Sequence, residues 1–214
     1  SLLYKAAQEG AISKRTTKNV SGFSYRFMPS ETWNVTLFGK LYALSVKGPV
    51  ATDSNNSSFV ATRRSEEHLG CGFATSVFIP QTSLQFKSSY EKAYRLPTIE
   101  EMFGNEDLEL GTITIRPEHS HNFNVSLSYD KQFGRHAVFA EAGLIYRDTR
   151  DYIQRNITDL SGGKQAATYV NYGKVKTLGG NFSLHYNYRN LLSVAANYTY
   201  MDVRDNMKTM IGTT

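Results

Sequence analysis

The sequence holds a single cysteine, a single tryptophan and only 5 prolines among its 214 residues. A lone Cys71 excludes an internal disulfide and a cysteine-based metal cluster, so we interpret it as a small, half-buried side chain. No run of about 18 apolar residues occurs, which excludes a membrane-spanning helix. The scarcity of proline leaves long segments free to pair in a sheet, because proline removes a donor from the hydrogen-bonding ladder.

Aromatic residues are abundant, with 14 Tyr and 12 Phe in a chain that is 13% aromatic. Such side chains fit the pleated surface of a sheet. The formal net charge is +5, but Lys and Arg are interspersed with Asp and Glu. The charge pattern therefore predicts no nucleic-acid partner, and it is compatible with an anionic lipid or ligand.

Polar and apolar residues alternate along most of the chain, most clearly over residues 181–189. In a strand, the two sets point to opposite faces of the sheet. One set is Phe182, Leu184, Tyr186 and Tyr188, and the other is Asn181, Ser183, His185, Asn187 and Arg189. The same pattern over 33–43 and 122–129 predicts two-faced strands there as well.

We predict an all-β fold, an antiparallel up-and-down meander of about eight strands. The strands are expected at 20–29, 32–47, 69–80, 82–94, 117–132, 135–154, 166–187 and 190–204. Short turns are expected at 29–31, 80–81, 133–134 and 188–190, and long loops at 48–68, 95–116 and 155–165. Turns at one end and long loops at the other are typical of outer-membrane barrels.

Aromatic residues cluster beside the predicted short turns. They are Phe27, Trp33, Phe78, Tyr129, Phe133, Tyr186 and Tyr188. Such a row is expected of an interfacial girdle, in which each ring has one apolar and one wet side. The alternative is a soluble sheet whose aromatic side chains fill a core.

Two motifs flank the predicted loop at 95–116. Tyr94-Arg95-Leu96-Pro97-Thr98 is followed by Glu101-Met102-Phe103-Gly104, and Thr112-Ile113-Thr114-Ile115-Arg116-Pro117-Glu118 comes later. Thr98 and Glu101 also have the spacing of a capping box, so we expect a short helical start that Gly104 ends.

These motifs resemble the barrel domain of TonB-dependent outer-membrane receptors. The residues that match the family pattern are Arg95, Pro97, Glu101, Phe103, Pro117 and Glu118. The resemblance extends over about 69–205, whereas residues 1–68 contribute only the alternation. Where the family often carries Asn-Pro-Asn-Leu-Lys-Pro-Glu, this sequence departs at Thr112, Ile113 and Thr114.

The resemblance implies a barrel of roughly 22 strands in the outer membrane of a Gram-negative bacterium, with a plugged lumen. Such a receptor imports a ferric siderophore, haem, cobalamin or a similar scarce nutrient, with energy from a TonB-type coupling protein that acts through the plug. We identify no plug and no terminal aromatic residue. Residues 1–214 are thus expected to be an internal piece of the barrel that contacts outer-membrane lipid and, in isolation, associates with itself.

Two histidines, His119 and His121, are placed by their spacing on one face of a strand. They could contact a metal or haem, but no third ligand is visible nearby, so no metal site is predicted. Haem receptors that resemble this region usually carry a histidine between the two motifs. Residues 98–116 contain none, which favours a siderophore over haem.

Arginines with aromatic neighbours near the predicted loops are candidates for binding an anionic or catechol-like ligand. The candidate ligand-binding residues are Arg63, Arg64, Tyr94, Arg95, Arg150, Tyr152 and Arg155. The neighbouring acids Glu66, Glu67, Asp148 and Asp151 favour instead a solvated surface of mixed charge.

No catalytic residue, cofactor or phosphate loop is predicted. Ser161-Gly162-Gly163-Lys164 lacks the required spacing, and Glu66-Glu67 and Glu100-Glu101 are adjacent pairs that point apart in a strand. Two alternatives to a receptor remain: a passive porin or small outer-membrane barrel, and a soluble cell-surface β-sandwich that binds glycans.

Overall fold

A computed structural model describes residues 12–51, 59–104, 109–160, 164–189 and 191–205. In chain order the elements are β1 (Arg15–Ser30), β2 (Trp33–Ala51), β3 (Phe59–Ile79), β4 (Leu84–Arg95), α1 (Ile99–Phe103), β5 (Glu109–Leu110), β6 (Glu118–Phe133), β7 (His136–Arg150), β8 (Ile153–Leu160), β9 (Lys164–Asn171), β10 (Lys174–Tyr188) and β11 (Leu192–Asp205). The predicted all-β meander is confirmed, because eight strands form one sheet in the order β1-β2-β3-β4-β6-β7-β10-β11. Within the described residues β1 and β11 are free edges, so the sheet does not close on itself.

Several predicted boundaries were wrong. The loop expected at 48–68 is mostly strand, because β2 and β3 stay paired from Trp33–Val77 up to Ala51–Phe59. The predicted strand 166–187 is two strands, β9 and β10, separated at residues 172–173. The predicted strand 135–154 ends at Arg150, and the loop expected at 155–165 lies largely within the hairpin of β8 and β9.

The connections alternate in length, as predicted. Short turns link β1 to β2, β3 to β4, β6 to β7 and β10 to β11, and we call that edge the turn end of the sheet. Gly134 adopts φ 57 in the β6–β7 turn, a conformation that glycine tolerates best. The opposite edge, the loop end, carries the long connections, including residues 96–117 and a second sheet in the order β5-β9-β8.

The register divides the side chains of the main sheet into two faces, since directly paired residues point the same way. One register row joins Trp33, Val77, Phe86, Leu127, Ala142, Phe182 and Tyr198. We call the face defined by this row the apolar face and its opposite the polar face. The predicted alternation is confirmed, and many large apolar side chains of this face are exposed, for example Phe23 at 72% and Leu144 at 64%.

Two side chains depart from their predicted positions. Phe78 pairs with Gln85 and lies on the polar face, because it is one residue out of phase with Val77. The other six predicted girdle residues share the apolar face. Cys71 is exposed rather than half-buried, because it lies on the uncovered apolar face.

The sheet divides at its loop end between β3 and β4. Their pairing stops at Cys71 and Lys92, whereas β3 continues along β2 to Phe59 and β4 continues along β6 to Arg95. A Cβ atom at Gly72 would collide with the carbonyl oxygen of Tyr90. Glycine here therefore permits the close approach of β4 to β3 just below the division.

Candidate functional site

The division between β3 and β4 is the region in which the sequence motifs meet. Arg95, at the loop end of β4, pairs in register with Glu118, the first residue of β6. Its Nε and Nη2 donate to the two carboxylate oxygens of Glu118 at 2.9 and 2.8 Å, a bidentate geometry. Arg95 Nη1 also donates to Glu101 Oε1 at 3.1 Å. The first and second motifs are thus joined by one guanidinium.

Glu118 is the centre of this arrangement because it is only 8% exposed. Besides the two bonds from Arg95, its Oε1 accepts a hydrogen bond from the backbone N–H of Ile153 at 2.7 Å. Hydrogen bonds to Glu118 and the charges of Glu118 and Glu101 raise the pKa of Arg95 above its usual range, despite partial burial. The guanidinium therefore stays charged at any physiological pH.

The predicted capping box is confirmed. Thr98 is the N-cap of α1, its Oγ1 accepts from the N–H of Glu101 at 3.2 Å, and Glu101 Oε2 accepts from the N–H of Thr98 at 2.7 Å. Gly104 ends the helix with φ 71. Glu101 therefore serves both the cap and Arg95, which fixes α1 relative to β4.

The described residues of the segment 96–117, which we call the folded loop, pack back onto the polar face instead of extending away from the sheet. Met102 and Ile115 are each 2% exposed and contact Leu44 and Val46 of β2 and Ile153 of β8. Leu44 and Val46 lie at polar-face positions, where the alternation would have predicted polar residues. Their apolar character is the sequence signal for a covering segment, and periodicity alone does not reveal it.

Two polar side chains fasten the folded loop further. Arg64 Nη1 donates to the carbonyl oxygens of Ile113 and Ile115 at 3.1 and 2.8 Å, and its guanidinium also pairs with Glu66. Asn171 Nδ2 donates to the carbonyl oxygens of Arg116 and Asp151 at 2.8 and 2.9 Å. Sequence reasoning missed Asn171, since its partners are remote in the chain.

The predicted ligand-binding residues lie on different surfaces. Arg64 and Arg95 hold the folded loop, whereas Arg63 is exposed and pairs in register with Lys47, one residue out of phase with Arg64. Arg150 is at the loop end of the apolar face. Tyr152 lies two residues after Arg150 and is 40% exposed, and Arg155 is in β8.

Tyr94 occupies the division between β3 and β4. Its ring stacks on His68 of β3 with centroids 4.8 Å apart and is 6.0 Å from the ring of His119 of β6. His119 and His121 share one face, as predicted, and His121 Nδ1 is 2.8 Å from the hydroxyl of Tyr90. In the described ranges, no three His, Cys, Asp or Glu side chains converge as metal ligands would.

A shallow cavity of about 400 Å³ lies lower on the sheet. Its polar-face lining includes Ser76, Lys87, Ser89, Asn124, Ser126 and Asn181. Small neutral side chains with one lysine form a hydrophilic surface that could contact another polar segment. The described part of the chain contains no helical segment with the length and apolarity that a bilayer crossing requires.

Comparison with known proteins gives one family and several solved structures. Residues 69–214 match the family described as TonB dependent receptor-like, beta-barrel. The hemophore receptor HasR of Serratia marcescens, solved as a double mutant in complex with its hemophore HasA and heme, is similar in structure, with a TM-score of 0.72 and 17% identity over 88% of this chain and 34% of that one. No curated protein sequence matches the chain.

Two further solved structures are similar. The copper transporter OprC gives a TM-score of 0.64 with 13% identity over 87% of this chain and 29% of that one. The FrpB iron transporter of Neisseria meningitidis (F3-3 variant) gives 0.57 with 18% identity over 96% and 30%. The chain therefore spans about a third of the length of each of these three proteins.

Proposed function

Because the chain belongs to the TonB-dependent receptor-like β-barrel family, we propose that it forms part of the wall and external loops of an outer-membrane receptor for a scarce nutrient. The observation that carries this proposal is the two-faced sheet. Its apolar face runs across all eight strands, and its polar face bears Ser, Asn and Lys side chains and the folded loop. A wall between lipid and a plugged lumen needs this division.

The match of residues 69–214 to the receptor family disfavours the passive-porin alternative. The soluble β-sandwich is disfavoured by the topology, because the eight strands of the main sheet lie side by side and no second large sheet covers their apolar face in the described residues.

The proposed cargo is a ferric siderophore or a similar metal-containing nutrient. The three solved structures named above are described by heme, copper and iron, which favours a metal-containing cargo. The absence of histidine from residues 98–116 favours a siderophore over haem. In the complete receptor, a TonB-type protein would supply energy through a plug domain.

The placement of the wall is tested by spin labels on adjacent residues in the complete receptor reconstituted in lipid. Single cysteines replace Phe182, on the apolar face, or Ser183, on the polar face, with Cys71 changed to serine. We expect the label at 182 to collide mainly with dissolved oxygen, which concentrates in lipid, and the label at 183 mainly with a water-soluble nickel complex. Equal accessibility at the two positions would contradict the proposal.

The cargo is tested by growth of a strain that lacks the receptor gene. In separate cultures, a ferric siderophore or haem is the only source of iron, or a copper salt is the only source of copper. We expect the loss of growth on one ferric siderophore and its restoration by the intact gene. Restoration must fail in a strain that also lacks the energy-coupling protein, and unimpaired growth on every source would exclude a metal-containing cargo.

A further inference from the structure

The hairpin of β8 and β9 leaves one long strand edge unpaired. In the part of the chain that the structure describes, β9 pairs with both β5 and β8, and β8 has no strand on its other side. The eight residues of β8 extend over about 26 Å. Strands that extend the main sheet would add to β1 or β11, so they would not cover the edge of β8.

The edge of β8 lacks the features that usually prevent pairing. Natural edge strands are often kept from pairing by very short length, proline, lysine or a bulge. β8 contains neither proline nor lysine, and its register with β9 runs without interruption along all eight residues. Its charged residues, Arg155 and Asp159, are of opposite sign, so the strand has no net charge that would repel a copy of itself. β8 can therefore accept another strand.

The hairpin is held in place at its base. The N–H of Ile153 donates to Glu118 at 2.7 Å, and the side chain of Ile153 lies in the apolar cluster with Met102. The N–H of Tyr172 donates to the carbonyl oxygen of Tyr152 at 2.6 Å. The start of β8 is therefore fixed before any partner binds, which lowers the conformational entropy lost on pairing.

Beyond this anchored base, the side chains of β8 reach solvent. Arg155 and Asn156 are exposed, and Ile157 is 64% exposed. Arg155 and Ile157 lie on the same face of the strand as the anchored Ile153, because side chains alternate along a strand. A partner strand that covers Ile157 would remove a large apolar side chain from water, which stabilises the pair.

The sequence of β8 is complementary to itself around Ile157. Two copies of a strand related by a two-fold axis pair antiparallel, and directly opposite residues lie on the same face. With the axis at Ile157, Arg155 of one copy is opposite Asp159 of the other. Asn156 and Thr158, which are both polar, are then opposite each other. A shift to the next register that keeps the faces, in either direction, removes both charge pairs.

We propose that two copies of the protein associate through β8, which pairs antiparallel with β8 of the second copy around a two-fold axis at Ile157. The two three-stranded sheets would then form one continuous sheet. The Ile157 side chains would cover each other, and the two pairs of Arg155 with Asp159 would fix the register. Arg155 also interacts within its own chain, but a guanidinium with five donors can serve both partners. The inference goes beyond the receptor function proposed above and does not depend on the cargo.

The register is tested by disulfide formation in the complete receptor, purified in neutral detergent with Cys71 changed to serine. In a pair centred on residue 157, the cysteines of Ile157→Cys face each other within the roughly 4.4–6.8 Å between Cα atoms that a disulfide requires. The control is Asn156→Cys, which is also exposed, but its two cysteines would be about 7–8 Å apart on the opposite face. We expect at least about fivefold more covalent dimer from Ile157→Cys than from the control. Equal yields, or no dimer from Ile157→Cys, would overturn the proposal.

The charge pairs are tested by reversal and exchange, with the dissociation constant of the dimer measured by sedimentation in the same detergent. Arg155→Asp alone places like charges opposite each other at two sites, so we expect the dissociation constant to rise at least about tenfold. Asp159→Arg alone should have the same effect. The variant with both changes is expected to return to within about threefold of the unmodified receptor. A double variant as weak as the single variants would refute this register, and an unmodified receptor that stays monomeric at high concentration would refute the pairing.

A failure of this inference is distinguishable from a failure of the proposed function. Spin-label accessibility at residues 182 and 183 and growth on each metal source do not depend on whether the receptor is a monomer or a dimer. A receptor that meets both of those expectations but forms no dimer refutes only the pairing through β8.

Discussion

The Arg95 guanidinium joins three separate pieces of the chain: β4, which carries it, α1 through Glu101, and β6 through Glu118. A single residue can do this because guanidinium has five donors in a rigid fork, whereas the lysine ammonium is a point charge. Glu118 is nearly inaccessible to solvent, so water could not replace Arg95 as its hydrogen-bond donor if Arg95 were removed. Arg95 and Glu118 are best understood as positioning residues for the folded loop.

Replacement of Arg95 by glutamine is expected to destabilise the folded loop by roughly 1–3 kcal/mol, since a buried carboxylate then loses its charged donor. Hydrogen exchange of the backbone amides in residues 96–117 would accelerate, and exchange in β10 would not. Arg204→Gln is the matched control, because Arg204 is 78% exposed and its ion pair with Asp202 is local. Unchanged exchange in residues 96–117 of the Arg95 variant would refute the role of this guanidinium.

At the scale of elements, apolar contacts of its side chains do much to stabilise the folded loop. The five-residue helix α1 is too short to be stable alone. The capping box and the packing of α1 on β2 supply the stability that the isolated helix lacks. Met102, which is 2% exposed, supplies the packing, whereas Ile99 on the same helix is 61% exposed.

These two side chains give a matched pair for a stability test. Met102→Ala is expected to cost about 2–5 kcal/mol in local stability, because it leaves a cavity in the cluster with Leu44 and Ile115. Ile99→Ala should cost little, since the side chain is already in contact with solvent. The measurement is the rate of proteolytic cleavage within residues 96–117, and equal rates in the two variants would show that the cluster does not hold the loop.

Strand faces were predictable from the sequence because the direction of a side chain depends only on the parity of its position. The strand at 59–68 was missed because Arg63, Arg64, Glu66 and Glu67 have the composition of a loop. The break at Gly173 was missed because the alternation continues on both sides of it. The docking of the folded loop depends on contacts such as Arg64 with Ile115, and no local pattern encodes a contact between residues so far apart.

For the whole molecule, the main consequence of the fold is incomplete coverage. β1 and β11 each have one unpaired edge in the described part of the chain, and the apolar face has no covering layer there. Unpaired edges and large apolar surfaces both promote association. In the barrel wall proposed above, neighbouring strands and lipid would cover them.

We therefore expect residues 1–214, expressed alone, to associate with themselves in aqueous buffer. Light scattering would report masses well above the 24.1 kDa of one chain. A neutral detergent covers the apolar face but not the strand edges, so species that persist in detergent are joined by their edges. A clean monomer at high concentration without detergent would contradict the expectation.

The two-faced strands also limit how the gene can change in length. Loss of one codon within β7 would turn every later side chain of that strand to the opposite face. Depending on the position lost, Glu141 or Arg147 would then lie on the apolar face, where Leu144 lies now. Loss of one codon from a long connection would change no face at all. Insertions and deletions that survive selection should therefore fall between the strands, and substitutions within them should be accepted or rejected with a period of two residues.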